Sequence, residues 1–156
     1  MGAGETALHD AAQRGHVDVA EELLRWKGDL FDDADRHGAR ALNYAAGQGH
    51  SDLVQLLLDR RASPLAECSD GITALRCAVK SKHVDIARVL LHHGASPNCM
   101  QRGVYDVGCE TFDSPTLHMA AARGTLQIVQ LLLAYGGDMK ATANGMTLTQ
   151  AAEQGQ

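Results

Sequence analysis

The sequence predicts an all-α solenoid of stacked antiparallel helix pairs joined by extended, β-hairpin-like fingers, and three observations predict it. One wording recurs: TALHDAAQRGHVDVAEELL from Thr6, RALNYAAGQGHSDLVQLLL from Arg40, TALRCAVKSKHVDIARVLL from Thr73 and PTLHMAAARGTLQIVQLLL from Pro115. The leucines of its third slot, Leu8, Leu42, Leu75, Leu117 and Leu148, are spaced by 34, 33, 42 and 31 residues. Within each copy the apolar residues fall in two blocks of helical spacing, so a copy is a helical hairpin. Such a hairpin cannot bury its apolar face alone, and stacked neighbours share one elongated core.

Each element follows from its residues. In the first helix of copy one, Ala7, Leu8, Ala11 and Ala12 recur at helical spacing, and the small alanines let a second helix approach closely. That second helix carries Val19, Ala20, Leu23 and Leu24 on one stripe. Gly15, Gly49 and Gly124 suit a left-handed residue that ends the first helix, and Gly28, Gly94 and Gly136 follow the second. Arg61 stands in the latter slot of copy two, where left-handed geometry costs about 1 kcal/mol. Glu22, where later copies have Leu56, Val89 and Leu131, marks copy one as a capping repeat. Trp26, near a helix end, is expected to pack partly on the convex side. The acidic group Asp32, Asp33 and Asp35 lacks the ligands and glycine spacing of a calcium loop and reads as a solvated finger.

Copy three departs most in its first helix. Val79 replaces the second alanine and Lys82 the inter-helix glycine, which predicts a looser or shifted junction. Beyond it, 26 residues separate Leu91 from Leu117, against 17 from Leu58 to Leu75, so about nine are inserted within 99–114. This loop holds Tyr105 and Phe112 in a chain that is only 4% aromatic. It reads either as functional or as a long finger folded over its own side chains. Copy four is the most regular, and the fifth stops at Gln156 after one helix, which reads as a cut from a longer array or, alternatively, as a half-repeat cap ending in polar EQGQ.

The period near 33, the TPLH slot that His9 and His118 fill, the paired alanines and the GH junction resemble the ankyrin repeat, from about residue 4 to the end. The resemblance implies a single domain, 1–156, with repeats at about 4–36, 37–69, 70–112, 113–143 and a partial 144–156. In proteins of this family, partners lie in a concave groove formed by the fingers and first helices. Carried over slot by slot, the helical contact residues are Gln13 and Arg14, Gly47 and Gln48, Lys80 and Ser81, and Ala122 and Arg123. The fingers contribute Arg36, His37 and Ala39, then Ser69, Asp70 and Ile72. Arg14, Arg36, Lys80 and Arg123 make a basic line suited to acidic or backbone groups of an extended peptide, with Tyr105 or Phe112 as apolar anchor. Asn98, in GASPN, occupies a finger slot that is hydroxylated in similar ankyrin proteins, although Pro97 departs from the usual aliphatic neighbour. Arrays with irregular fingers also resemble the SOCS-box ankyrin receptors of ubiquitin ligases.

Composition narrows the function. A formal charge of -5 argues against nucleic acid as a partner. No apolar run reaches a membrane span and the N-terminus has no signal segment, so no membrane partner is expected. Four cysteines without a C-x-x-C pair are expected to be reduced thiols. Of eight histidines, His9 and His118 fill the TPLH slot and His16, His50 and His83 the GH slot. His92, His93, Cys99 and Cys109 match no zinc spacing, so no metal is expected. Phosphate-binding, metalloprotease and nucleophile-elbow motifs are absent, so no catalytic residue or cofactor is expected. The reading is a protein–protein interaction module, cytoplasmic or nuclear and monomeric in isolation, belonging to a larger adaptor or regulatory protein. Its alternatives are a structural scaffold, a self-association element, or the substrate-receptor part of a ubiquitin ligase.

Overall fold

The computed structural model describes residues 6–26, 33–68, 71–99 and 115–141. They hold eight helices: α1 (Ala7–Arg14), α2 (Val17–Trp26), α3 (Ala41–Gln48), α4 (Ser51–Asp59), α5 (Ala74–Lys80), α6 (Val84–His92), α7 (Thr116–Ala122) and α8 (Leu126–Ala134). Each odd-numbered helix packs on the even-numbered helix after it. The odd helices also stack in one row and the even helices in a second, which is the predicted two-layer solenoid. The partial fifth copy lies outside the described residues. No described helix is long and apolar enough to cross a membrane.

The core is one seam through the stack. Leu8, Leu42, Leu75 and Leu117 are buried along the odd row, and Leu53, Leu57, Ile86, Leu90, Ile128 and Leu132 along the even row. Each fully buried leucine or isoleucine contributes about 1.5–3 kcal/mol of transfer free energy. Ala11, Ala45, Ala78 and Ala120 are also buried, and their lack of atoms beyond Cβ sets how closely the two rows approach.

One backbone device ends every odd helix. The amides of His16, His50, His83 and Thr125 donate to the carbonyls of Ala11, Ala45, Ala78 and Ala120 at 3.0, 3.0, 2.9 and 3.2 Å. That bond needs a left-handed residue just before the donor, and Gly15, Gly49, Lys82 and Gly124 have φ of 73°, 89°, 64° and 67°. The looser junction expected at Lys82 is therefore not found. A neighbouring hairpin explains the tolerance: a Cβ on Gly15 would lie 2.5 Å from Nδ1 of His50, and one on Gly49 2.7 Å from Cε1 of His83. In the hairpin after Lys82, Thr125 replaces the histidine whose ring forbids a side chain at those glycines. The same motif closes α4, α6 and α8, where Ala62, Ala95 and Gly137 donate to Leu57, Leu90 and Leu132 at 2.9, 2.9 and 2.8 Å. Arg61 takes the left-handed geometry there, at φ 71°, as expected.

Neighbouring hairpins are tied by the fourth motif slot. The Thr6 amide donates to Nδ1 of His9 at 3.2 Å, which leaves Nε2–H to donate to the Ala39 carbonyl at 3.1 Å. Asn43 does the same with its two amide ends: Oδ1 accepts from the Arg40 amide at 3.0 Å, and Nδ2 donates to the Ile72 carbonyl at 3.4 Å. Each side chain thus caps its own helix and grips the strand entering the next.

Two local expectations are corrected. Asp35 is not solvated: it is only 7% exposed, because its carboxylate accepts from the His37 and Ala39 amides at 2.7 and 2.9 Å and from the Tyr44 hydroxyl at 2.6 Å. Trp26 does not pack against the convex side. It is 82% exposed, its indole N–H donating to Oε1 of Glu22 at 2.8 Å.

Candidate functional site

Every odd helix leaves one equivalent pair of residues, a turn apart, at least partly accessible. They are Asp10 and Gln13, Tyr44 and Gly47, Cys77 and Lys80, and Met119 and Ala122. The first of each pair is half-buried, while Gln13, Lys80 and Ala122 are exposed. Half-buried Tyr44, Cys77 and Met119 therefore form an apolar floor, and the second residues stand beside it.

This floor escaped the sequence reading, which took only the slots after the paired alanines. Its signal was nevertheless present. Between the fourth motif slot and the alanines sits a position that changes from Asp to Tyr, Cys and Met, a freedom that the leucine and alanine slots do not show.

The expected contact residues divide between two edges. Arg14 and Gln48 end α1 and α3, and Ser81 and Arg123 follow the ends of α5 and α7, so they share the C-terminal edge of the row with Lys80. Arg14, Gln48 and Ser81 are exposed and Arg123 is half-buried. Arg36 and His37 are exposed in the finger that enters α3 at its other end, with Arg36 Nε–H donating to His37 Nε2 at 3.0 Å. An eight-residue helix is about 12 Å long, so the finger bearing Arg36 enters α3 about a helix length away from the C-terminal edge that Arg14, Lys80 and Arg123 occupy. The four cations form a three-membered edge and a separate corner. At helix C-termini, Arg14 and Lys80 also complement the helix dipole. Ile72 is half-buried at the finger base, while Ser69, Asp70, Tyr105 and Phe112 lie outside the described residues.

The fingers frame the floor by a repeated turn. Asp35 N–H donates to Ala39 and Gly38 N–H to Asp35, both at 2.9 Å. The next finger copies this with Cys68 to Ile72 at 3.0 Å and Gly71 to Cys68 at 2.9 Å. In the first case a side-chain clamp, Tyr44 to Asp35, joins finger to floor. The same two slots in the next hairpin hold Cys77 and Cys68.

Electrostatics separates these pairs. Burial pushes the Asp35 carboxyl up, but the Tyr44 hydroxyl, the two backbone amides and nearby His9 outweigh it and hold the carboxyl below its usual value. Burial, reinforced by the Cys68 thiol, pushes Cys77 up to about 11, so it stays a neutral thiol at physiological pH and serves as a packing surface. Beneath the floor, Arg76 is only 3% exposed. Burial lowers its pKa while Cys99 and Cys77 raise it, and one guanidinium N–H points to the Met119 sulfur at 3.9 Å.

Asn98, the expected modification site, is exposed and joins two successive fingers. Its Nδ2 donates to the Gly136 carbonyl at 3.1 Å and its Oδ1 accepts from the Asp138 amide at 2.8 Å. The insertion after it is closed at its base, because Thr116 donates to the Cys99 carbonyl through both its amide, at 3.1 Å, and its hydroxyl, at 2.8 Å. Among the described residues, no three His, Cys, Asp or Glu side chains converge as a metal site would require. A wide depression on the even-helix side, lined by residues that include Ser51, Lys82, His83, Asp85, Arg88 and Gln130, is mainly polar and lacks the apolar seat typical of small-ligand sites.

Stacked hairpins with repeated turn geometry, a sealed seam and one face of varied side chains define a repeat solenoid. A family profile described as ankyrin repeats (3 copies) matches residues 8–101, and one described as ankyrin repeats (many copies) matches 75–133. The chain belongs to the ankyrin-repeat family, whose repeats generally mediate protein–protein interaction. It is 28% identical over 163 residues to the Gallus gallus nuclear factor NF-kappa-B p105 subunit, covering 86% of this chain and 16% of that protein. It is 33% identical over 132 residues to a Caenorhabditis elegans homologue of transient receptor potential cation channel subfamily A member 1, covering 85% and 10%. The same identity and length relate it to the Dasypus novemcinctus ankyrin repeat, SAM and basic leucine zipper domain-containing protein 1, covering 82% and 26%. The chain thus spans about a quarter or less of each of these three relatives.

Proposed function

We propose that this chain is a binding module that holds an extended segment of a partner protein across the odd-helix row. The observation that carries the reading is the half-buried floor of Tyr44, Cys77 and Met119 beside an edge bearing Arg14, Lys80 and Arg123. Apolar side chains of the segment sit on the floor, where they leave water, and acidic side chains meet the basic edge. Gln13, Gln48 and Ser81 supply hydrogen bonds to the segment's backbone, and Arg36, His37 and Ile72 bound it on the finger side. The module works without catalysis, as is typical of its family, inside a longer adaptor or regulatory protein.

The test is a peptide-display selection against the intact chain. The expected result is a shared motif of apolar residues with acidic neighbours, whose binding falls about tenfold or more in an Arg14→Glu, Lys80→Glu variant. Enriched peptides that carry no acidic residue, or bind both proteins equally, contradict the reading.

A further inference from the structure

The hairpins report on one another through equivalent slots. Ala41, Leu53 and Leu57 of the second hairpin, Ala74, Ile86 and Leu90 of the third, and Thr116, Ile128 and Leu132 of the fourth are all 2% exposed or less. Their counterparts in the first hairpin are open: Ala7 is exposed, Val19 is 51% exposed and Leu23 is half-buried. No hairpin precedes α1 among the described residues, so these are the slots that face backward along the array. The forward-facing set is the complement. Ala12, Ala46 and Val79, with Leu24, Leu58 and Leu91, are buried in the first three hairpins, whereas Ala121 and Leu133 of the fourth are exposed.

Trp26 belongs to the backward set. Its counterpart in the second hairpin, Arg60, reaches back to Glu21 of the hairpin before it at 3.5 Å. The same slot in the third and fourth hairpins, His93 and Tyr135, stays exposed with Tyr135 at 41%, so a preceding hairpin would cover Trp26, now 82% exposed, only in part.

A hairpin that ends an array carries polar residues on its open face, because that face meets water. The open face of α1–α2 does not: it keeps alanine, valine and leucine in the slots that interior hairpins seal, and adds a tryptophan. Glu22 does not supply a cap either, because its counterparts Leu56, Val89 and Leu131 are only half-buried. Copy one has the residues of an interior repeat, which corrects the capping role expected from Glu22.

We propose that the N-terminal face of α1–α2 is a stacking surface for one more helical hairpin of this class, supplied by a preceding segment of the same polypeptide. The interface repeats the contact found three times within the chain. Its occupant presents a small residue from its first helix and leucine from its second, toward Ala7, Val19 and Leu23, and its outer helix partly covers Trp26.

The experiment extends the chain with its own sequence. A second copy of residues 38–70, a segment that runs from the Gly38-Ala39-Arg40 entry to the next such entry, is joined before Gly4 of the full chain. Trp26 is the sole tryptophan and the added segment has none, so its emission reports on this face alone. The expected result is a blue shift with about twofold weaker iodide quenching, and amides of α1 and α2 that exchange about tenfold more slowly. Val19→Asp is expected to cancel both effects in the extended protein while leaving the unextended chain folded, since Val19 is already half in water there. A folded extended protein with unchanged emission and exchange overturns the proposal. So does sedimentation of the unextended chain as a dimer with Trp26 shielded, which would make a second copy the occupant.

Discussion

At the scale of single residues, left-handed positions show how a neighbouring hairpin decides what one slot tolerates. Lys82 and Arg61 carry positive φ at 64° and 71°, and replacing Lys82 by glycine is expected to stabilise the chain by about 1 kcal/mol. Gly49→Ala is expected to cost more than that gain, because φ is 89° and the new methyl meets the His83 ring. Urea midpoints of both variants check the pair of signs. The glycine slots themselves were legible in the repeat. The tolerance at Lys82 was not, since it depends on Thr125 in a different hairpin. Asp35 gives a pH-dependent case. Its folded pKa lies below the ordinary carboxylate value, so its stabilisation is present above that value and is lost as pH falls through the lower folded one. Tyr44→Phe removes the hydroxyl donor, and is expected to cost about 1.5 kcal/mol at pH 7 and to flatten the loss of stability between about pH 5 and pH 3. Denaturant titrations across that range measure both.

At the scale of elements, fingers are tied to a neighbouring helix or finger, and the ties differ. The Asp35 finger is held by Tyr44, and the Asn98 finger by bonds to Gly136 and Asp138. The finger between α4 and α5 has Cys68 and Cys77 in the clamp slots instead, two thiols in place of a charge-assisted hydrogen bond. Substituting Cys68→Asp together with Cys77→Tyr is expected to transplant the clamp, slowing amide exchange at position 68 and at Gly71 several-fold. Either substitution alone is expected to leave those amides as fast or faster, because it buries one half of a pair. Unchanged exchange in the double variant would mean that the clamp is not transferable between fingers. Helices and junctions were readable because each is specified within its own copy. Finger ties were not, because residues such as Asn98 take their partners from the next copy.

At the scale of the whole molecule, the repeat does two jobs with separate residues. Slots facing the seam are mostly leucine, isoleucine, valine and alanine, and with the ties of His9 and Asn43 they fix the stack. The remaining odd-helix slots are released from packing, and this freedom permits a floor of Tyr44, Cys77 and Met119 beside a basic edge. The seam was legible because burial demands one residue class at a fixed period. The floor was harder to read because its variation carries no period, and the two edges could be separated only once helix length placed Arg36 apart from Arg14, Lys80 and Arg123. The most direct test of recognition by this face is a calorimetric titration of one display-selected peptide against three proteins: the unaltered chain, an Arg14→Glu, Lys80→Glu variant, and an Arg88→Glu variant altered on the exposed even-helix side. The account predicts affinity lost about tenfold or more in the first variant and kept in the second. Affinity kept in the first and lost in the second would place the partner on the opposite side of the solenoid.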